Sequence, residues 1–327
     1  MDPRAQTFVS TGSLPSPERV QELVTEAYER FRQDNGGANS TVYPALTAVA
    51  RELFGISVAG VEGAVFATGD ADTEFTIMSV AKPFVYALVC EQLGGDRLRE
   101  LIGVNATGLP FNSLAAVEQG GDGRTNPMVN PGAIAVTSLV PGPGVEERWQ
   151  LLQEGLARFA GRPLSLDEDV LRSARATNHR NRSLAQLLQS FGRLGSDPAE
   201  AVDLYTRQSC LRVTARDLAV MGATLANAGV NPLTNERVVE PETCHCTLAV
   251  MITAGLYETS GDWLYDIGLP GKSGIGGGIV AVSPGKGALG TFAPPLDEAG
   301  NSIKGQLVAR FLSRRIGLDL LVSKSEG

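Results

Sequence analysis

The stretch that decides the fold reads TIMSVAKPF at residues 76–84, and it sets a hydroxyl and an amine three positions apart in Ser79-Val80-Ala81-Lys82. Pro83 lacks a backbone N–H and is tolerated only in the first turn of a helix, which places a helix start at or just after Ser79. Side chains three positions apart share one helix face, so the amine of Lys82 can reach the serine oxygen. Such a serine also lies at the positive end of the helix, where developing negative charge is stabilised.

A second signal lies far downstream, in Lys272-Ser273-Gly274. These residues open a glycine-rich, β-branched stretch over residues 275–283 that predicts a strand. A Ser-x-x-Lys helix beside a Lys-Ser/Thr-Gly strand is typical of the penicillin-recognising serine enzymes. Either half alone is weak, since many surface helices carry a serine and a lysine at this spacing. Both halves in this chain order favour a serine acyl-transfer site.

Composition limits the class of protein. With 327 residues, of which 43% are hydrophobic, the chain can bury a sizeable core as one large domain or two intimate ones. A formal charge of −8 and the lack of a basic stripe argue against a nucleic-acid partner. We find neither an apolar segment of signal-peptide type nor an uninterrupted apolar run of about 18 residues. We therefore expect a soluble, cytoplasmic protein with no membrane partner.

The cysteines do not indicate a disulfide framework or a metal site. Four thiols in a chain of this length are too few and too scattered for a disulfide scaffold, which agrees with a reducing compartment. Zinc takes about four ligands at recognisable spacing, whereas Cys244-His245-Cys246 has only His179 as a further histidine. We predict no metal and no cofactor, and we place these thiols in a core helix. The cysteines are Cys90, Cys210, Cys244 and Cys246.

The N-terminal part of the chain predicts a helix followed by a hairpin. Ser16 is a suitable N-cap, Pro17 suits the first helical position, and apolar residues recur at helical intervals up to Phe31. The apolar runs 56–59 and 64–67 flank a short connection and predict a β-hairpin.

From about residue 94 to 255 the signals are mostly helical, with loops predicted at 120–132 and 192–198. One helix begins at Thr214, has Asp217 three residues on, and stops at Gly229. The C-terminal part of the chain again predicts strands. Segments 279–283 and 288–292 predict a second hairpin, and a last amphipathic helix covers about 301–315. Strands near both ends with helices between them predict one sheet, built from both ends of the chain, that carries an inserted helical subdomain.

Five blocks in order give the chain a family resemblance that extends from about Ser16 to Leu321. With these blocks, the sequence resembles the serine-dependent glutaminases, which deamidate glutamine to glutamate and ammonia. The resemblance implies an α/β (α+β) fold of the β-lactamase/transpeptidase type, with a central, mostly antiparallel sheet and flanking helices. The blocks are Pro110-Phe111-Asn112-Ser113, Asn126-Pro127-Met128-Val129-Asn130-Pro131-Gly132-Ala133-Ile134, Thr224-Leu225-Ala226-Asn227, Gly268-Leu269-Pro270-Gly271-Lys272-Ser273-Gly274, and Pro294-Pro295-Leu296-Asp297 before Gly300-Asn301-Ser302.

The same resemblance implies a domain division. Residues 1–327 form a single glutaminase-like domain, with a sheet subdomain at about 40–78 and 256–327 and a helical subdomain at about 79–255. It also implies a homo-oligomer, either a dimer or a tetramer.

The resemblance carries catalytic and binding roles onto particular residues. The implied catalytic residues are Ser79 as nucleophile, Lys82 as helper amine, and Tyr257. The implied substrate-binding residues are Tyr43, Asn126, Asn181, Tyr205 and Ile275, whose backbone N–H joins that of Ser79 in the oxyanion hole. Free lysine and tyrosine titrate near pH 10, so neighbours must tune Lys82 or Tyr257 before either takes the serine proton at neutral pH. The sequence leaves open which of the two is the base.

Two positions depart from the family pattern. Met78 stands where the family commonly has glutamine, and Ala174 stands where it has the carboxylate that faces the α-ammonium of the substrate. Losing the partner of a desolvated charge typically costs about 3–5 kcal/mol, here in the binding free energy of the substrate. The nearest preceding acids, Asp167, Glu168 and Asp169, are five to seven residues away.

Three functions follow from these observations. The leading hypothesis is hydrolysis of L-glutamine to L-glutamate and ammonia through a Ser79 acyl-enzyme. The second is the same mechanism on another amide, lactam or peptide, which Met78 and Ala174 favour. The third is a weakly active binding or regulatory homologue, which the intact Ser79, Lys82 and Tyr257 argue against. In the first two cases the partner is a small-molecule amide.

Overall fold

The first helix begins where its capping residues predict. In a computed structural model that describes residues 12–322, α1 covers Pro17–Phe31 and its first residue is the proline. The Ser16 hydroxyl accepts a hydrogen bond from the backbone N–H of Arg19, which satisfies one of the free donors at the helix start. Four buried apolar residues then anchor α1 to the rest of the protein: Val20, Leu23, Val24 and Ala27.

The centre of the fold is an antiparallel sheet that joins the two ends of the chain. Within residues 12–322 it has five strands in the order β2-β1-β7-β6-β5, and each neighbouring pair is antiparallel. A separate two-residue ladder pairs β3 with β4. The predicted single sheet built from both ends is therefore confirmed. The strands are β1 Gly55–Gly60, β2 Val65–Gly69, β3 Phe75–Thr76, β4 Arg212–Val213, β5 Gly271–Ser273, β6 Gly278–Ser283 and β7 Gly287–Phe292.

Most of the remaining secondary structure is helical. The further helices are α2 Pro44–Thr47, α3 Ala81–Leu93, α4 Gly95–Ile102, α5 Ala115–Glu118, α6 Asn130–Ser138, α7 Val145–Ala160, α8 Glu168–Thr177, α9 His179–Ser190, α10 Pro198–Ser209, α11 Ala215–Ala226, α12 Pro241–Ala254, α13 Ser260–Ile267 and α14 Ile303–Arg315. Short 3₁₀ turns occupy Met78–Val80 and Tyr257–Thr259. Within residues 12–322, none of these helices combines the length and the apolar character needed to span a membrane.

Both faces of the sheet are buried. Along β6, Val280 and Val282 belong to the core formed with the large helical region, whereas Ile279 and Ala281 belong to the core formed with α1 and α14. This division follows from the alternation of side chains along a strand. The predicted hairpin of β6 and β7 and the predicted last helix are both present, with α14 starting two residues later than expected.

The stretch after Lys272 differs from its prediction. We expected one strand up to Ser283, but β5 ends at Ser273 and β6 begins at Gly278. A turn separates them, closed by a hydrogen bond from Gly277 N–H to the carbonyl of Gly274. Gly277 has a φ of +94°, a conformation that residues with a side chain rarely adopt. Glycine therefore permits the chain to reverse direction between β5 and β6, which the apolar pattern of the sequence did not indicate.

Helix α11 packs directly against the sheet. Its start has the predicted capping box, in which Thr214 and Asp217 satisfy each other's backbone N–H. A Cβ at Gly222 would lie 2.6 Å from Cβ of Ala288, so glycine permits the close approach of this helix to β7. Since α11 lies between residues 79 and 255, the helical part of the sequence contributes one of the layers that cover the sheet. The division into two subdomains stays a prediction.

The long middle region contains two features that the sequence pattern did not indicate. Helix α6 begins at Asn130, inside the segment predicted as a loop up to residue 132. The ladder of β3 and β4 links the residues before the Ser-x-x-Lys turn to the residues before α11. Two-residue ladders carry too little periodicity to be recognised in a sequence.

Candidate active site

Ser79 lies in a tight turn immediately before helix α3. The chain leaves β3, forms the 3₁₀ turn Met78–Val80, and enters α3 at Ala81. Ser79 is half-buried, so its hydroxyl is accessible while both of its neighbours are buried. Met78 has a φ of +48°, a left-handed conformation that costs a non-glycine residue about 1–3 kcal/mol. The surrounding structure therefore holds a strained residue immediately before the serine.

Lys82 is buried and has only neutral hydrogen-bond acceptors. Its Nζ donates to Oδ1 of Asn130 at 2.8 Å and to the carbonyl oxygen of Met128 at 3.3 Å. Burial disfavours the ammonium form and lowers the pKa of Lys82 to about 7. A neutral amine has two N–H groups and one lone pair. The two observed hydrogen bonds use both N–H groups and leave the lone pair available to accept a proton.

Asn130 connects the amine to the wall of the cleft. Its Oδ1 also accepts a hydrogen bond of 3.0 Å from the hydroxyl of Tyr205, and its Nδ2 donates to Oδ1 of Asn181 at 3.0 Å. Asn130 is not among the residues that the sequence predicted for the site. The usable signal was its place four residues after Asn126, since both asparagines precede a proline in the same block.

Asn126, which we expected in the pocket, lies elsewhere. Its Nδ2 donates to the carbonyl oxygens of Val104 and Asn105 and to Oγ1 of Thr253, at 2.9 to 3.2 Å. Its Oδ1 accepts the backbone N–H of Met128 at 2.8 Å. All of its hydrogen bonds thus hold the loop that precedes α6. The structure brings Asn130, and not Asn126, to the cleft because the turn between them directs the two side chains to different surroundings.

Tyr257 and Lys272 meet at one carbonyl oxygen. The Tyr257 hydroxyl donates to the carbonyl oxygen of Ser273 at 3.3 Å, and Lys272 Nζ donates to the same oxygen at 2.7 Å. Lys272 also donates to the carbonyl oxygen of Gly255 and lies 4.5 Å from the ring centroid of Tyr257. Burial, together with the proximity of Lys82, lowers the pKa of Lys272 well below its usual value.

The two candidate bases differ in protonation. Burial raises the pKa of Tyr257 above its usual value, and a hydrogen bond with the Ser79 side chain opposes that shift only in part. At neutral pH Tyr257 is therefore a phenol and a hydrogen-bond donor. Lys82, with a pKa of about 7, has a large neutral fraction under the same conditions. Of the two, Lys82 has the protonation state that a general base requires.

The end of β5 lies against the backbone of the nucleophile. A Cβ at Gly274 would lie 3.2 Å from the backbone nitrogen of Ser79 and 3.0 Å from the carbonyl oxygen of Ile77. Glycine in the Lys-Ser-Gly block therefore permits the close contact between the strand end and the turn. Ile275 follows directly and lines the cleft.

The cleft beside Ser79 contains most of the predicted binding residues. Tyr43, Asn181, Tyr205 and Ile275 line it, and Asn130 joins them. Burial raises the pKa of Tyr43 to about 12, so this phenol is also a hydrogen-bond donor at neutral pH. A larger cavity of about 490 Å³ lies near α4 and is lined by residues such as Arg99 and Arg124. Its lining shares no residue with the cleft beside Ser79, so the two cavities are separate.

The two positions that depart from the family pattern, Met78 and Ala174, belong to one buried apolar cluster beside the cleft. Met78, Ala174 and Cys210 are buried together there, and Ala174 is fully buried. Three preceding acids could have replaced the carboxylate that is missing at position 174. Of these, Asp167 caps α8 by accepting the N–H of Val170 and pairs with Arg212. Asp169 pairs with Arg172 on the surface, and Glu168 is exposed. These three acids therefore do not supply a carboxylate to the cleft.

The described residues include no group of three or more His, Cys, Asp or Glu side chains that could hold a metal ion. In Cys244-His245-Cys246, the first cysteine is buried in α12. Burial raises the pKa of the Cys244 thiol to about 12, which opposes the thiolate form that binds zinc.

The antiparallel sheet, its helices on both faces and the Ser-x-x-Lys turn beside β5 define a protein of the β-lactamase-like class. A family model described as Glutaminase matches residues 37–321. The chain belongs to the glutaminase family.

Individual proteins agree with this assignment. "Glutaminase 2" of Yersinia pestis is 65% identical over 317 residues, which cover 97% of this chain and 93% of the relative. A solved structure of the probable glutaminase ybaS is 41% identical, with a TM-score of 0.93 over 94% of this chain and 100% of that chain. A structure of Mglu in its glutamate form is 37% identical, with a TM-score of 0.87 over 96% of this chain and 71% of that chain.

Proposed function

We propose that this protein hydrolyses L-glutamine to L-glutamate and ammonia through an acyl-enzyme on Ser79. The observation that carries the proposal is the environment of Lys82, which lies three residues after Ser79. Its amine is buried, has neutral hydrogen-bond partners and has a pKa of about 7. Membership of the glutaminase family and the names of its relatives support glutamine as the substrate.

In the first half-reaction, Ser79 Oγ attacks the carbon of the side-chain amide and transfers its proton to the lone pair of Lys82. The negative charge then develops on the former carbonyl oxygen. The backbone N–H groups of Ser79 and Ile275 are the proposed donors to this oxyanion. Collapse of the tetrahedral intermediate breaks the C–N bond, and the Lys82 ammonium returns the proton to the departing nitrogen, which leaves as ammonia.

In the second half-reaction, water attacks the glutamyl ester and Lys82 accepts the proton of that water. The second tetrahedral intermediate breaks the bond between the carbon and Ser79 Oγ, and the serine takes the proton back. Tyr257 remains protonated, in agreement with its raised pKa, and its phenol lies within hydrogen-bonding reach of Ser79. Asn130 holds the Lys82 amine through both half-reactions.

The test is ammonia release from L-glutamine by the purified full chain, with Ser79→Ala as the matched control. We expect steady release by the wild type and none above background by the variant. Trapping of a covalent adduct on Ser79 by mass spectrometry after rapid acid quench would identify the acyl-enzyme. If both proteins release ammonia at the same rate, the nucleophile lies elsewhere.

The proposal also includes a cytoplasmic homo-oligomer, either a dimer or a tetramer. The four cysteines, which are all free, suit a reducing compartment. Light scattering on the eluted peak of a size-exclusion column measures the mass directly, and a monomer mass would contradict the oligomer.

A further inference from the structure

The cleft beside Ser79 has an asymmetric charge. Among the residues that line it in the described part of the chain, Arg180 is the one with a formal charge, and no Asp or Glu is present. Arg180 is exposed near the mouth of the cleft, and its Nε donates to the carbonyl oxygen of Asn112 at 2.8 Å. No ion pair within residues 12–322 involves Arg180, so its remaining N–H groups are available to a ligand.

Two acids that are close in sequence to Tyr205 and Tyr257 are engaged by other groups. Asp203 pairs with both Arg175 and Arg207, and Glu258 accepts the backbone N–H of Phe111. Ala174 is fully buried in one apolar cluster with Met78, and of these two residues Met78 lines the cleft. A cation that enters the cleft therefore meets hydroxyl, amide and carbonyl oxygens but no carboxylate.

The cleft offers a charged partner to the α-carboxylate of glutamine but not to its α-ammonium. The carboxylate matches the planar fork of donors on a guanidinium, and such charge-assisted hydrogen bonds are stronger than neutral ones. The ammonium has no ionised partner in the cleft and shares the mouth with Arg180.

We infer that the site selects amides by a single negative charge, read by Arg180, and that an α-amino group is not required. The inference rests on the function proposed above and extends its substrate class. The class becomes ω-amides of dicarboxylic acids, including those that lack the α-amino group or carry it in acylated form. Arg180 is thereby assigned as a specificity-determining residue.

Three small amides separate the two charges of the substrate. L-Glutamine carries both charges, 4-carbamoylbutanoate lacks the ammonium, and 4-aminobutanamide lacks the carboxylate. Ammonia release at pH 8 gives kcat/KM for each compound. We expect 4-carbamoylbutanoate to be within about threefold of glutamine or better, and 4-aminobutanamide to be at least about tenfold poorer, the range of one hydrogen-bonded charge.

Variants of Arg180 test the assignment of the residue. Arg180→Gln should raise KM for glutamine and for 4-carbamoylbutanoate by at least about tenfold, with little effect on 4-aminobutanamide. The matched control is Arg182→Gln, because Arg182 is exposed on the same helix and binds the carbonyl oxygen of Arg175 without lining the cleft. Unchanged melting temperatures would establish that both variants are folded.

The outcomes separate this inference from the proposed function. If glutamine is hydrolysed in a Ser79-dependent reaction while 4-carbamoylbutanoate is at least about 30-fold poorer, a loss of about 2 kcal/mol, the ammonium is recognised and the inference is wrong. Equal turnover of 4-aminobutanamide and glutamine would also overturn it. If none of the three amides releases ammonia in a Ser79-dependent reaction, the proposed function fails and the inference fails with it.

Discussion

The Nζ atom of Lys82 lies 2.8 Å from Oδ1 of Asn130 and donates a hydrogen bond to it. A carboxylate in place of this amide would stabilise the ammonium form, whereas a neutral amide leaves desolvation as the dominant influence on the amine. The asparagine therefore positions the lysine without raising its pKa. The chemistry proposed for Ser79 depends on this relationship.

Removing the nucleophile should abolish turnover without unfolding the protein. Ser79 is half-buried and its hydroxyl is small, so Ser79→Ala should leave the melting temperature nearly unchanged. Loss of a nucleophile typically costs several orders of magnitude in kcat. Ammonia release per folded molecule is the measurement. Residual turnover above about a hundredth of wild type would assign the nucleophile to another residue.

The pH profile should report the buried amine. Because Lys82 must be neutral to accept the Ser79 proton and its pKa is about 7, kcat/KM should fall on the acidic side with a midpoint near pH 7. Lys82→Met keeps the volume of the side chain but removes the amine, and it should be inactive at every pH. An acidic limb centred below about pH 5 would point to a carboxyl group as the base.

Asn126 and Asn130 should respond differently to substitution. Asn126→Ala removes the hydrogen bonds that join this buried residue to Val104 and Thr253, and it should destabilise the fold by about 1–3 kcal/mol while the folded fraction stays active. Asn130→Ala releases Lys82 and Tyr205 and should lower kcat by at least about tenfold, the worth of one such hydrogen bond. Urea unfolding and steady-state kinetics on both variants check this pairing. Equal kinetic losses would mean that Asn126 also reaches the substrate.

Adding a carboxylate at position 174 should change how the site treats the α-ammonium. Ala174→Glu should lower KM for glutamine with little change in kcat, because the contact is equally strong in the ground and transition states. The gain should approach about 3 kcal/mol if the site is well desolvated. Ala174→Gln has nearly the same size without the charge and is the matched control.

The folded state of each variant at this position needs a melting curve, because Ala174 is fully buried. Preference for glutamine over 4-carbamoylbutanoate should rise in the glutamate variant alone. If its KM for glutamine does not change, and the wild type already saturates at ordinary concentrations, another group serves the ammonium.

Stability should increase with pH between about 7 and 9. Lys82 and Lys272 have lowered pKa values in the folded protein, whereas free lysine titrates near pH 10. The unfolded chain therefore binds more protons in this window, and the free energy of unfolding should rise by up to about 1.4 kcal/mol per pH unit for each lysine. Above about pH 9, thiols such as Cys90, whose pKa burial raises to about 12, reverse the trend.

Urea unfolding at several pH values measures this slope. Lys272→Met removes one of the two buried amines and should make the slope shallower, whatever its effect on stability at one pH. A free energy of unfolding that is flat or falls from pH 7 to 9 in the wild type would contradict the assignment of neutral buried lysines.

The sequence by itself determined the features that depend on local rules. Ser16 with Pro17, and Thr214 with Asp217, define helix starts because capping needs only residues within one turn. The hairpins follow from apolar runs on either side of short connections, and the turn before α3 follows from Pro83. Pairing of β1 with β7 was predictable in outline, since apolar strands at both ends of a chain need partners.

Only the tertiary structure decided which side chains meet. Asn126 and Asn130 both precede a proline and are alike in the sequence, yet loop carbonyls surround one and Lys82 contacts the other. The pKa of Lys82 depends on burial by segments that are distant along the chain. The same holds for the charge of the cleft, because it depends on the partners that acids such as Asp167, Asp203 and Glu258 find in the folded chain. Desolvation and hydrogen bonding are properties of packed surroundings, and local residue order does not specify them.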